Sequence, residues 1–338
     1  MNMKQIGLLA SLAALGVAGA ALSLHSGPQG FATDKRGQIV FPGLTQKAND
    51  VMSITIRDFE RSFTVERRED GFYNKESGYP VKPDAYRDLV GSAALLTFEE
   101  TKTADPARMA DLGLAEPGAA PEAVGREMSF RDAKGNVLAA LTVGNADATV
   151  GGARGGTFVK LPEQKQAWLV RGQMRVPIPH AAWYEINFVN IQRDALAGIT
   201  ITGGGLDEIV TRADKKGDDI KLVNAPEGRE GDGSKLMRLG FMVDPISFQD
   251  VRKAEGAAKA DARKMIVTSW KGYTITYTVI GEIADGWVRF TTQTTSDVGK
   301  EEAEDFRRKT EGFDFKLAQH EIDMLRWSMK DVSQEPKS

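Results

Sequence analysis

The 338-residue sequence contains no cysteine, which excludes disulfides, thiolate-bound metals and cysteine nucleophiles together, although it does not identify the compartment. Histidine is almost as scarce. His25, His180 and His320 are the three present, and none stands at HxxxH or HxH spacing, so the usual imidazole frameworks for zinc are missing. There is no GxSxG elbow to present a serine nucleophile, and no glycine-rich loop ends in the Lys-Ser/Thr of a phosphate-binding loop. The charges nearly cancel, with 44 Lys and Arg against 47 Asp and Glu, so the chain lacks a broad cationic surface and nucleic acid is not an expected partner.

Long apolar runs are also lacking, except at the start. Lys4 is followed by Ile6 to Leu24, a stretch without a charged side chain that leads into the polar "HSGPQGFATDKRGQ". A terminal run of this kind, behind a lysine, reads as an export segment over residues 1–30. Two outcomes stay open. Either the run remains as a single N-terminal span of the inner membrane with the body in the periplasm, or cleavage near "AGA" (Ala18 to Ala20) releases a soluble periplasmic body.

What the rest of the chain does contain is a repeated order of elements. Ile54 and Ile56, then Val65 and Arg67, are answered by Ile199, Ile201, Val210 and Arg212. In the first half, alternating strands lead to a helix with Tyr86, Leu89, Val90, Ala93 and Leu96 on its stripe and Pro83 near its start. A hairpin around "DAKGN", with Val137 to Val143 as its second strand, and the strands "GTFVKL" and "QAWLV" follow. In the second half, Ser234 is the expected cap of a helix with Leu236, Leu239 and Val243 on its stripe, and Tyr273 to Val279 is the alternating strand. The expected fold is therefore α+β: two similar β-rich units, residues 40–180 and 181–330, from an internal duplication, behind the N-terminal hydrophobic helix. A stripe of Phe315, Ala318, Ile322, Leu325 and Met329 is expected to form a closing helix against the second sheet.

Chemistry-bearing constellations are few. "GGARGG" (Gly151 to Gly156) lies between two strand patterns and reads as a hairpin loop rather than an anion cradle, and "TGGGLDE" (Thr202 to Glu208) reads as a turn. Glu99 and Glu100 are adjacent, but glycosidase-like chemistry needs carboxyl groups that face each other across a cleft. "EEAEDFRRK" mixes both signs and reads as a solvated segment. Trp168, Trp183, Trp270, Trp287 and Trp327 are scattered and read as packing residues. No catalytic, cofactor-binding or metal-ligating residue is assigned, no cofactor is expected, and the binding residues are left open.

"FPGL" (Phe41 to Leu44), "SITI", "GYPVKPDAYRDLVGSAALLTFEE", "LGLAEPG", "AAWYEINFVNIQRDALAGITI" and "GFDFKLAQHEIDMLRWSMKDV" occur in an order that resembles bacterial proteins of the domain-of-unknown-function 4340 family. The resemblance spans most of residues 40–330. It implies an exported or membrane-anchored protein whose genes often neighbour those of gliding-motility-associated ABC transporters, and it brings no catalytic residues with it. The expectation is thus a noncatalytic, extracytoplasmic auxiliary protein that partners membrane proteins of an ABC-type transport or cell-envelope system. A periplasmic glycan- or peptide-binding module is the alternative, and an envelope hydrolase stands behind both.

Overall fold

The computed structural model describes residues 34–58, 62–116, 124–150, 155–177, 180–185, 191–243 and 245–336, and the apolar run Ile6 to Leu24 lies outside them. A short helix α1 (Pro42–Gln46) precedes strands β1 (Ser53–Arg57), β2 (Ser62–Arg68) and β3 (Gly71–Asn74), helix α2 (Pro83–Ala94) and strand β4 (Thr97–Thr101). The strands β5 (Arg126–Arg131), β6 (Val137–Asp147), β7 (Gly156–Lys160) and β8 (Ala167–Arg171) follow. The order then recurs with β9 (Leu196–Thr202), β10 (Ile209–Arg212), β11 (Lys221–Leu222), the added β12 (Glu230–Gly231), helix α3 (Gly233–Phe241) and β13 (Asp250–Lys253). After these come β14 (Lys264–Ser269), β15 (Tyr273–Val279), β16 (Trp287–Thr294), helix α4 (Lys300–Thr310) and β17 (Phe313–Lys316). Helices α5 (Gln319–Leu325) and α6 (Met329–Val332) and the two-residue β18 (Ser333–Gln334) close the chain.

The strands form two eight-stranded sheets, ordered β3-β2-β1-β5-β6-β7-β8-β4 and β11-β10-β9-β14-β15-β16-β17-β13. With β12 set aside, each position in one order is matched in the other, and every pairing with a recorded register is antiparallel. Matched rows also share their register. Ile54 faces Phe130 and Ile56 faces Met128, just as Ile199 faces Val267 and Ile201 faces Met265. Met128 then faces Leu141, and Met265 faces Tyr277, which extends one buried row across three strands in each sheet. The strands Val137 to Val143 and Tyr273 to Val279 bury alternate residues as period-two patterning requires.

The repeated phrase slips in its second strand. Val65 is buried, but its sequence counterpart Val210 is only half-buried, because the buried row of β10 is Ile209 and Thr211. Ile209 faces Ile201 and Val210 faces Thr200, and a one-residue change of phase moves a side chain to the other face. The expected C-terminal stripe is corrected in the same way. Phe315 lies on β17, where it faces Val251 and Val288, while Ile322 and Leu325 belong to α5 and Met329 opens α6. Phe313 and Phe315 alternate at period two, so pairing in the sheet takes them out of any helical stripe. "EEAEDFRRK" is likewise a helix, α4, which keeps its charges outward and buries Ala303 and Phe306.

Helices α2 and α3 occupy the same place in the two orders, and their burial runs in step: Tyr86, Leu89 and Ala93 are buried, as are Leu236 and Leu239, while Val243, expected on the same stripe, is buried two residues beyond the end of α3. The cap of α3 is Asp232 rather than Ser234. Its carboxylate accepts from the backbone N–H of Ser234 at 2.9 Å and of Lys235 at 3.2 Å, which satisfies two otherwise orphaned donors.

Two compact units result, one of residues up to Ser62 with Asp88–Arg175, the other of Phe63–Arg87 with Val176–Ser338. The second unit has an aromatic centre. Tyr79 lies edge-on to Tyr184, Phe248, Phe313 and Phe315 at centroid distances of 5.5, 5.8, 4.9 and 5.6 Å. Phe290 continues the cluster toward Tyr277 and Phe306. Among the described residues no helix is long and apolar enough to cross a membrane.

Candidate functional site

A groove of about 520 Å³ lies beside α3 in the second unit. Leu196 at the start of β9, Ile220 just before β11, and Leu236 on the inner side of α3 form its apolar floor, and all three are buried. Met237 and Phe241, one helical turn apart on α3, form an apolar lip that stays 44% and 57% exposed. Gly240 lies between them in the chain, and its missing side chain leaves space above Leu196, whose Cδ2 atom a Cβ there would meet at 3.7 Å. Arg193, Asp218, Asp219 and Asp232 supply the charged rim, and Gln334 of β18 closes one end.

The rim groups other than Asp218 are individually engaged. Arg193 pairs with Asp219, and one oxygen of Asp232 is engaged in capping α3. Gln334 donates to Glu230 at 3.1 Å where β18 pairs with β12. A groove with an apolar floor and a few polar groups at its rim matches binding sites in both size and chemistry.

A second concavity, of about 180 Å³, lies in the first unit and is polar. Of its charges, Arg57 pairs with Glu127 at 3.5 Å and Lys160 with Glu116 at 2.8 Å. The carboxylates singled out from sequence are also paired. Glu99 is bound by Arg171 at 2.9 Å and by Arg36, which holds its carboxyl below the usual range, and Glu100 meets Lys102 at 3.0 Å. Hence Glu99 and Glu100 do not face each other across a cleft.

His320 is exposed on α5, His25 lies outside the described residues, and His180 belongs to a short 3-10 turn, His180–Trp183. Among the described residues no group of three His, Asp or Glu side chains is placed to hold a metal ion. The loop of "GGARGG" joins the paired strands β6 and β7, with Gly151 to Arg154 outside the described residues. Trp168 and Trp183 are buried, whereas Trp270 is exposed. Trp287 carries the Arg252 guanidinium 4.2 Å above its ring, and Lys235 sits 5.2 Å from the ring of Trp327.

Three buried ionisable groups serve the fold. Arg263 donates to four backbone carbonyls, and Asp314 receives Arg289 at 2.7 Å. Glu321 accepts the Ala318 N–H at 2.9 Å, and burial pushes its carboxyl above the usual range. A raised carboxyl favours the protonated form in the folded chain, so its contribution to stability falls as pH rises from the unfolded toward the folded value. Glu321→Gln keeps an acceptor for Ala318 and removes the buried charge. Its thermal midpoint is expected to exceed that of the parent at pH 7, with the gap closing on acidification; a constant gap across pH would refute this assignment. The ring hydroxyl of Tyr273 is pushed up to about 12 by burial and by Glu302, with which it hydrogen-bonds at 3.1 Å. Tyr273 therefore stays protonated at neutral pH.

The family model described as "Domain of unknown function (DUF4340)" matches residues 72–264, more than half of the chain. No curated protein and no solved structure matches the chain.

Proposed function

The chain belongs to the DUF4340 family, and from that premise we propose a noncatalytic auxiliary protein, anchored by residues 6–24 in the inner membrane, whose periplasmic body docks on an ABC-type transporter or cell-envelope assembly. The observation that carries this reading is the groove beside α3, whose floor and lip are apolar while its rim charges other than Asp218 are paired or engaged in capping. An exposed Met and Phe on adjoining turns cost solubility unless something covers them. The matched strand orders support an origin of the two units by internal duplication, in which a scaffold was copied and one copy acquired a binding surface.

A soluble periplasmic peptide-binding module is the second reading, favoured by the groove's volume of about 520 Å³. Two measurements separate the readings. Reporter fusions placed after Gly30 are expected to be active only outside the cytoplasm, and the full-length chain, affinity-purified from detergent-solubilised membranes, is expected to bring membrane-embedded transporter or envelope components with it. Cytoplasmic reporter activity would end the export reading. A mature chain that begins near Ala21 and co-purifies with no membrane protein would leave the soluble module in its place.

A further inference from the structure

The groove has an internal reference in the first set of elements. Helices α2 and α3 align at an offset of 150 with their buried positions in step, which places Val90 against Gly240, Arg87 against Met237, and Gly91 against Phe241. On α2 the inner position carries a buried valine, and the two outer positions carry a cation and no side chain. On α3 the inner position is empty and the two outer positions are large and apolar.

Packing does not require the glycine. A Cβ added at Gly240 would meet the Leu196 Cδ2 atom at 3.7 Å, an ordinary contact, and glycine weakens a helix interior. The space it leaves and the apolar lip that replaces Arg87 and Gly91 are therefore explained by an occupant rather than by the fold. The charges on the rim indicate which kind. Three carboxylates, Asp218, Asp219 and Asp232, line the groove with the one guanidinium of Arg193, which Asp219 already engages, and Lys221, which lies near Asp218, is held by Asp214. Asp218 is half-buried at the edge of the apolar floor, where its charge is screened less than at an open surface.

We propose that this groove docks a peptide segment of a partner protein in which a large apolar side chain stands beside lysine or arginine. The apolar group covers Leu196, Ile220 and Leu236 between the Met237 and Phe241 side chains, and the cation meets Asp218. This deepens the auxiliary-docking reading above and rests on it.

The test uses the full chain and three short fluorescent peptides: tryptophan between two arginines, the same with glutamates for the arginines, and the same with serine for the tryptophan. In anisotropy titrations the first peptide is expected to bind, and each replacement to weaken binding by about tenfold or more. Gly240→Val, which restores the residue found on α2, is expected to weaken the first peptide about tenfold with an unchanged melting curve, and Asp218→Asn about threefold with a shallower salt dependence. Phe241→Ser, on the exposed lip, gives an independent variant that leaves the core intact, and it should match Gly240→Val. No binding by any peptide, equal binding of the arginine and glutamate peptides, or wild-type affinity in both Gly240→Val and Phe241→Ser would overturn the proposal. Co-purification keeps the two readings apart. If both variants retain the wild-type membrane partners, the groove is not the docking site although the auxiliary reading stands; if the wild type binds the peptide but retains no membrane partner, the auxiliary reading falls instead.

Discussion

Leu239→Asp is expected to abolish the folded state of the second unit. Leu239 is fully buried on the inner face of α3, so the change removes roughly 2–5 kcal/mol of packing and places a carboxylate where desolvation costs several kcal/mol more. Together these approach the whole stability of a domain, about 5–15 kcal/mol. Circular dichroism and limited proteolysis should show loss of cooperative melting and rapid cleavage between residues 191 and 336, the C-terminal stretch of the second unit. Leu239→Met, which keeps volume and apolarity, should cost less than about 1.5 kcal/mol. The equivalent aspartate at Leu89, also buried, should act in the same way on the first unit. A cooperative, wild-type melt for Leu239→Asp would show that α3 is dispensable to the fold.

Arg263→Met should be the next most damaging single change. The residue is 1% exposed, and its guanidinium donates to the carbonyls of Leu325 at 3.0 Å, Gly203 at 3.1 Å, Asp207 at 3.0 Å and Trp327 at 2.7 Å. Two of these acceptors belong to the turn between β9 and β10, and two lie at the C-terminal end of α5, where the helix dipole also favours a cation. Methionine fills the stem but leaves four carbonyls without their donor, at about 1 kcal/mol each, so a loss of roughly 3–4 kcal/mol is expected in urea unfolding. Arg263→Lys keeps the charge without the planar fork and should recover only part of that loss. A change below about 1 kcal/mol would mean that the carbonyls find other partners on relaxation.

The sequence disclosed the scaffold much better than the site. Leu89 and Leu239 stand out as helical stripe residues, and "DAKGN" as a hairpin turn, because both signals are local and periodic; in the structure Asp132 of that turn accepts from the N–H groups of Lys134 and Asn136, both at 2.9 Å. Boundaries and caps were less visible. Asp232 stands between Gly231 and Gly233, two residues before Ser234, so Ser234 looks equally suited to cap α3 until the backbone is seen. Phe315 fits a helical stripe as well as a strand row, and only its pairing with Val251 and Val288 decides between them.

The groove was not legible at all, for a definite reason. Its signal is a difference between copies, and the copies drift in phase: the offset is 145 between Ile54 and Ile199, 150 between Leu89 and Leu239, and 136 between Leu141 and Tyr277. No single shift of the sequence on itself sets Gly240 against Val90 and the strands in register together. Once the strand orders fix the correspondence, the exchange of valine for glycine is plain.

The discontinuous make-up of the second unit sets a timetable for synthesis. Tyr79 emerges long before Phe313 and Phe315, the rings it packs against. At ~5–20 residues per second, the intervening stretch takes on the order of 10–50 s to be made. Throughout that interval β2 and β3 can already pair within the first sheet, but Tyr79 lacks the rings of Phe313 and Phe315, and its side chain is available to chaperones or to other nascent chains. A ribosome stalled before residue 313 should therefore hold a chain in which the loop around Tyr79 is still protease-sensitive, even where β2 and β3 have paired in the first sheet.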